Sequence, residues 1–292
     1  MTRLLTIAGV LLALALSRGV TAQEQKDGVA ALIESMAAND YAGKTAVEKL
    51  VKIGKPAVPK LVTALKDKRR RVRYWSATAC ARIRDERAYA PLVAMAKGDK
   101  DAYCRATAIW YLQFFARPAV WQIAMDALKD PDATVRGYAI LLLKQRNRTE
   151  AVPQLKEAMK HANYKTRYDA MVAVATLSDE NVTELLRGVL RGDESKDVRI
   201  GAMKCLTICR KKPAKIITVF IDGLENRDEG VRAAAAMLLR KGTDQEFPFL
   251  PDGNVEDRKV AVANWRRWYQ KHEKHLVWDE AKRRFEIRPP AE

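Results

Sequence analysis

An arginine, preceded in most copies by valine and followed three positions on by a small residue, recurs at Arg73, Arg105, Arg136, Arg167, Arg199 and Arg232, at spacings of 32, 31, 31, 32 and 33 residues. The small residues are Ser76, Ala108, Ala139, Ala170, Ala202 and Ala235. A fixed period of about 20 to 50 residues marks stacked supersecondary units, each too small to bury its apolar face alone. Each period reads as two helices. The first is short and apolar, as in Ala57 to Leu65 or Val152 to Met159, and ends in a polar turn. The second starts at the arginine, and its apolar positions fall on one face. The small residue lets neighbouring helices approach closely.

Six positions before the arginines stand Asp67, Asp99, Asp130, His161, Asp193 and Asn226, and Pro59, Pro91 and Pro153 lie fourteen before three of them. This order of Pro, Asp and Arg resembles the HEAT repeat, and the short period is similar to the compact HEAT-like units of phycobilisome lyases, over roughly residues 45 to 245. The resemblance implies an all-α fold: a right-handed α-solenoid of stacked helix pairs, with about six HEAT-like repeats and a degenerate C-terminal unit. It also implies a ladder of hydrogen bonds between successive turns, carried here by Asp67, Arg73, Asp99, Arg105, Asp130, Arg136, Arg167, Asp193, Arg199 and Arg232. His161 and Asn226 depart from the pattern, so the ladder is expected to weaken at those two turns. A seventh unit keeps the spacing at Asp252, Arg258 and Ala261. Its first helix is expected to be missing, because Phe247-Pro248-Phe249-Leu250-Pro251 cannot form one.

Residues 1–22 have the outline of a secretory signal: a basic start, an apolar run from Leu4 to Leu16, and the small-x-small triplet Val20-Thr21-Ala22. The apolar run is shorter than the roughly 20 residues that span a bilayer. Export to a periplasmic or extracellular location is therefore expected, with no transmembrane segment in the mature chain. Residues 23–44 are expected to cap the array, 45–245 to form the solenoid, and 246–292 to hold the degenerate repeat and an aromatic and basic cap. In that cap Trp265 and Trp268 are expected to cover the open end, since terminal repeats need a closing surface.

The formal charge of +17 creates a field that attracts acidic macromolecules; export makes nucleic acid the least fitting of these. Cys80, Cys104, Cys205 and Cys209 sit in apolar helical stretches and read as small core residues. Among the sequence motifs of catalysis there is no nucleophile elbow, phosphate-cradling glycine loop or His-Glu-x-x-His, and no cofactor or metal is expected. Asp99/Asp101 and Asp130/Asp132 are explained by turns and helix caps.

Function is thus expected on residues that the repeat leaves free. Positions one, five and eight after each arginine point away from the buried face, which selects Tyr74, Thr78, Trp110, Gln113, Leu141, Lys144, Tyr168, Val172, Lys204 and Met237. Tyr74, Trp110 and Tyr168 stand out as binding anchors. A second signal is a basic edge of loops at one phase, with Arg82/Arg84, Lys144/Arg146/Arg148, Arg210/Lys211/Lys212/Lys215 and Arg240/Lys241. The sequence therefore points to a non-enzymatic binding or scaffolding module that engages an acidic protein, peptide or envelope polymer. The alternative that the resemblance leaves open is an enzyme or enzyme accessory, lyase-like or DNA-glycosylase-like.

Overall fold

In the computed structural model, the described residues are 22–178, 180–209 and 214–288, with side chains from residue 28 onward. The signal segment up to Thr21 and the triplet Arg210, Lys211 and Lys212 lie outside them. The chain divides after Leu142 into two compact units.

The first unit contains α1 (Ala22–Ser35), α2 (Asp40–Ile53), α3 (Val58–Ala64), α4 (Arg70–Ile83), α5 (Tyr89–Gly98), α6 (Ala102–Leu112), α7 (Ala119–Asp126) and the start of α8 (Ala133–Gln145). Single 3-10 turns at Lys55–Ala57 and Glu86–Ala88 lead into α3 and α5. Pro59 sits in the first turn of α3, where its missing N–H costs nothing. α3 packs on α4 and α5 on α6, while α2, α4 and α6 pack side by side. Ser76, Ala108 and Ala139 are fully buried, so the small residues of the repeat do stand where helices meet. The segment read as a cap holds α1 and the beginning of α2.

The second unit continues from Leu143 with α9 (Val152–Ala158), α10 (Tyr164–Leu177), α11 (Thr183–Gly192), α12 (Lys196–Leu206), α13 (Ile216–Leu224), α14 (Glu229–Thr243) and α15 (Val255–His272). The pairs α9/α10, α11/α12 and α13/α14 repeat the arrangement, and α10, α12 and α14 pack in succession. Residues 245–250 carry no helix. α15 packs on α13 and buries Trp265, which is 1% exposed and meets Phe247 edge-to-face at 4.7 Å.

One feature departs from an all-helical reading. β1 (Leu276–Asp279) and β2 (Arg284–Ile287) form an antiparallel hairpin with Trp278 opposite Phe285, and β2 lies against α14. The strands have four residues each, too short for period-two alternation to show in a charged tail. Leu276 and Phe285 are buried and anchor the hairpin.

The turns show why the repeat needs its charged residues. At all six, the side chain six before the arginine accepts the backbone N–H two residues on: Asp67 from Arg69, Asp99 from Asp101, Asp130 from Asp132, His161 Nδ1 from Asn163, Asp193 from Ser195 and Asn226 from Asp228, at 2.8–3.1 Å. Each arginine then donates Nη1 to a carbonyl of its own turn, as Arg136 does to Asp130 at 2.6 Å and Pro131 at 2.9 Å.

The rungs between repeats are bidentate. Arg73 donates Nε and Nη2 to Asp99 at 2.7 and 2.9 Å, Arg105 to Asp130 at 2.8 Å twice, and Arg167 to Asp193 at 2.7 and 2.8 Å. This fork geometry is the strongest ion-pair arrangement available to arginine. Where Asn226 replaces aspartate, Arg199 comes no nearer than 3.7 Å to Asp228, and its buried Nε has no hydrogen-bond partner among the described residues. At the last turn Arg232 Nε donates to the Pro251 carbonyl at 2.6 Å, and Arg258 donates to the Gly253 carbonyl. Asp252 therefore does not act as a rung to Arg232, because the chain presents a carbonyl to the guanidinium first.

Candidate functional site

The ladder fixes where the exposed faces of α4, α6 and α8 point, and in the first unit those faces carry aromatic residues. Tyr74 follows Arg73 directly. Tyr103 precedes Arg105 by two positions and Tyr138 follows Arg136 by two, while Trp110 and Leu141 each stand five after their arginine. With Tyr111 and the buried Thr107 these residues line a half-open groove of about 290 Å³. That is near the lower end of ligand-pocket volumes, roughly 300 Å³, so the groove takes a few residues or one small ligand.

Its walls are rings in mutual contact. Tyr74 and Tyr103 lie 5.3 Å apart; Tyr138 meets Tyr103 at 6.4 Å and 83° and Trp110 at 6.3 Å and 89°. Edge-to-face packing of this kind adds about 0.5–1.5 kcal/mol per pair beyond area burial. Tyr111 donates its hydroxyl to Thr78 Oγ1 at 3.2 Å, and Thr78 donates to the Tyr74 carbonyl at 3.0 Å, which ties two walls together. Gln113 Nε2 donates to the Trp110 carbonyl at 2.8 Å.

No lining residue is charged. Charge stands at the rim, where the Arg70 guanidinium lies over the Tyr103 ring at 5.4 Å and makes a long 3.4 Å pair with Asp101; its side chain is 58% exposed. Burial, reinforced by Tyr111 and Tyr103, pushes the Tyr74 hydroxyl well above the ordinary phenol range. Burial followed by Tyr103 also raises the Tyr138 hydroxyl. Both hydroxyls therefore remain hydrogen-bond donors at neutral pH.

Of the residues selected from the sequence, Tyr74, Trp110 and Leu141 come together here. Tyr168 and Lys204 belong to the second unit and do not line this groove. Tyr168 covers Gly201 of α12 so closely that a Cβ there would lie 2.5 Å from its Cε2, so its ring serves interlayer packing. Lys204 is exposed. In the basic loops, Arg148 pairs with Glu150 and Lys215 with Glu184 at 2.9 Å, which already neutralises part of that edge, and Arg84 lies over the Phe114 ring at 5.0 Å.

Tyr103, Tyr111 and Tyr138 were not selected, because they stand two before, six after and two after their arginines, off the offsets of one, five and eight. A usable signal was there: five of the nine tyrosines of the chain fall between positions 74 and 138, and all of these but Tyr89 lie on three consecutive second helices. All four cysteines are buried. Among the described residues no three His, Cys, Asp or Glu side chains converge as a metal site, and no helix is long and apolar enough to cross a membrane.

The sequence model of the family described as HEAT repeats matches residues 29–113 and 122–207, together more than half of the chain. This chain belongs to the HEAT-repeat family. The groove residues from Tyr74 to Tyr111 fall in the first matched span, and Tyr138 and Leu141 in the second. Solved structures similar to it include the complex of CpcE and CpcF of phycocyanin lyase from Nostoc sp. PCC7120, at 18% identity and a TM-score of 0.40, covering 82% of this chain and 94% of that one. An engineered protein is similar at 16% identity and a TM-score of 0.44, with 94% and 85% coverage. Human deoxyhypusine hydroxylase in complex with glycerol is similar at 16% identity and a TM-score of 0.36, with 84% and 96% coverage. No curated protein matches the chain.

Proposed function

We propose that this HEAT-repeat chain is an exported, non-enzymatic binding module that holds a protein partner in the aromatic groove of its first unit. The observation that carries the reading is the groove itself. Tyrosine and tryptophan are favoured at interfaces because they offer large, stiff, amphipathic contact area at low entropic cost, and here five such rings gather where the repeat requires none of them. The signal-like residues 1–22 support export, and the charge of +17 favours an acidic partner.

The test places a photo-crosslinking phenylalanine derivative at Leu141, at the groove, or at Ile208, an exposed site in the second unit. After irradiation in the producing cells, a discrete protein adduct is expected from position 141 and not from 208. Identical adducts at both positions, or none at 141, defeat the reading. N-terminal sequencing of the mature product checks export separately, with cleavage expected after Ala22.

A further inference from the structure

We infer that the joint between the repeats α11/α12 and α13/α14 is a hinge, released on the second-helix layer and pinned on the first-helix layer, about which the α13/α14 repeat swings to widen or narrow the exposed face of α12 and α14.

The release follows from a substitution. One joint earlier in the same unit, Arg167 grips Asp193 with Nε and Nη2 at 2.7 and 2.8 Å. At the next joint Asn226 stands where the carboxylate belongs, and its amide is turned to other partners. Nδ2 donates to the Leu190 carbonyl at 3.3 Å, and Oδ1 accepts from the Asp228 N–H at 3.1 Å. Arg199 keeps its bonds to the Asp193 and Glu194 carbonyls at 2.8 and 2.9 Å, both within its own repeat. Toward α14 it has only the 3.7 Å approach to Asp228, with Nε buried and unpartnered among the described residues. A long single pair leaves the angle between two helices free, whereas a two-pronged fork fixes it.

The apolar contact at this joint is smooth. Met203 of α12 and Ala235 of α14 both reach Gly223 of α13, where an added Cβ would lie 2.7 Å from the Met203 sulfur and 2.8 Å from the Ala235 Cβ. All three residues are buried. Glycine and alanine present no ridge to lock against, and the unbranched methionine side chain adjusts to a moved neighbour through its three torsions. Such a contact permits the small sliding of packed helices known as shear.

The first-helix layer is built the opposite way. Arg187 of α11 donates to Asp222 and Thr218 of α13 at 2.7 and 2.6 Å, Arg191 donates to the same Asp222 at 2.9 Å, and Lys215 pairs with Glu184 at 2.9 Å. The Arg187 and Asp222 side chains are only 14% and 18% exposed, so salt and water screen their pair little. Across the earlier joint that layer has the more exposed pair of Lys156 with Glu180, at 2.8 Å. The strong bonds of the two joints thus sit on opposite layers, and motion at the later joint turns about the line where α11 meets α13. α15 packs on α13 and β2 on α14, so the closing unit moves with the repeat. The swing changes the distance between Lys204 and Met237, which stand five after their arginines on α12 and α14.

The test is pulsed electron-spin resonance on the full chain, with spin labels carried by non-natural amino acids so that the four cysteines stay as they are. Tyr164, Lys196 and Glu229 each stand three before their arginine and are exposed. The Lys196–Glu229 distance, across the released joint, is expected to be more broadly distributed than the Tyr164–Lys196 distance by about 1–2 Å, the scale of helix shifts at packed interfaces. Asn226→Asp should narrow it to the width of the Tyr164–Lys196 pair, and Asp193→Asn should broaden that reference pair. Labels at Leu185 on α11 and Glu225 at the end of α13 should give a distribution as narrow as the reference. Equal widths at the two joints in the wild type, or a broad Lys196–Glu229 distance that Asn226→Asp leaves unchanged, overturn the inference. A Leu185–Glu225 distance as broad as the Lys196–Glu229 one overturns it too, because the joint would then be loose on both layers and have no pivot.

Discussion

Asp99→Ala is the sharpest probe of what holds the repeats together. Asp99 and Arg73 are each only 5% exposed at the side chain, and both guanidinium contacts are short. Truncation strands Nε and Nη2 of Arg73 in a buried site and also removes the acceptor for the Asp101 N–H, 2.9 Å away. Breaking a buried pair from one side costs about 3–5 kcal/mol, because the remaining charge has lost its compensation. For a chain of this size that corresponds to a fall in Tm of roughly 6–20 °C. Asp99→Asn keeps an acceptor for the turn and one for the arginine, and should cost about 1.5–3 kcal/mol.

The reference is Glu86→Ala, which breaks the pair with Arg117 at 2.7 Å where both side chains are more than half exposed. That change should cost under about 1 kcal/mol. The assay is circular-dichroism melting together with urea unfolding of the wild type and the three variants. Equal losses for Asp99→Ala and Glu86→Ala would refute the idea that burial gives the rung its weight. So would a double variant Arg73→Met/Asp99→Ala less stable than Asp99→Ala, because removing the stranded charge should recover part of the loss.

Three further outcomes follow from the same geometry. Asn226→Asp should raise stability by about 1–2 kcal/mol by giving Arg199 its missing carboxylate, even though the 3.3 Å bond from Asn226 to the Leu190 carbonyl is lost; a lower Tm in the melt would contradict it. Gly43→Ala should destabilise by about 1–3 kcal/mol, although alanine is the better helix former, because the new Cβ would lie 2.1 Å from Trp75 Nε1; a stabilised variant in urea unfolding would show that the indole moves aside at no cost. Acid should unfold the chain: bonds from Arg69 hold Asp67, and bonds from Arg87 hold Asp85, at about 2, below the ordinary aspartate value of about 3.9, and Asp130 and Asp193, despite burial, are also lowered by Arg105 and Arg167. Groups lowered in the folded state contribute stability that is fully present above about pH 4 and lost as pH falls toward 2, so a Tm that stays flat between pH 5 and pH 2.5 would count against these pairs.

The fold was legible because it is periodic: six arginines at spacings of 31 to 33 residues required stacked units, and the aspartates six before them located the turns. The hairpin was not, since strands of four residues beside Lys282, Arg283 and Arg284 leave too few alternations to read. At the groove, Tyr74 and Trp110 were found because they face outward at fixed offsets from the arginine. Tyr103 and Tyr138 escaped because they stand two before and two after their arginines, off the offsets of one, five and eight. Tyr168 met the same criterion as Tyr74 but lies in the second unit, packed over Gly201. Gly201 opposite it lets the ring sink between layers, and no offset within one repeat reveals what the next repeat places there.

The substitutions in the repeat separate two jobs that one aspartate performs. His161 and Asn226 still accept the backbone N–H two residues on, so the turn survives wherever the side chain offers a lone pair at that distance. The rung between repeats asks for more, a carboxylate able to take both forks of an arginine, and at Asn226 it is lost. Forming the turn is thus the stricter demand, and the rung is an addition that sets the rotation of one second helix against the next. Arg73–Asp99 and Arg105–Asp130, the two intact rungs of the first unit, anchor the starts of α4 and α6. Those are the helices that carry Tyr74, Tyr103 and Trp110. Any change that loosens a rung there alters the spacing of the rings, so Asp99→Ala should weaken occupancy of the groove along with stability, whereas the equally structural Asn226→Asp, placed in the other unit, should leave occupancy unchanged.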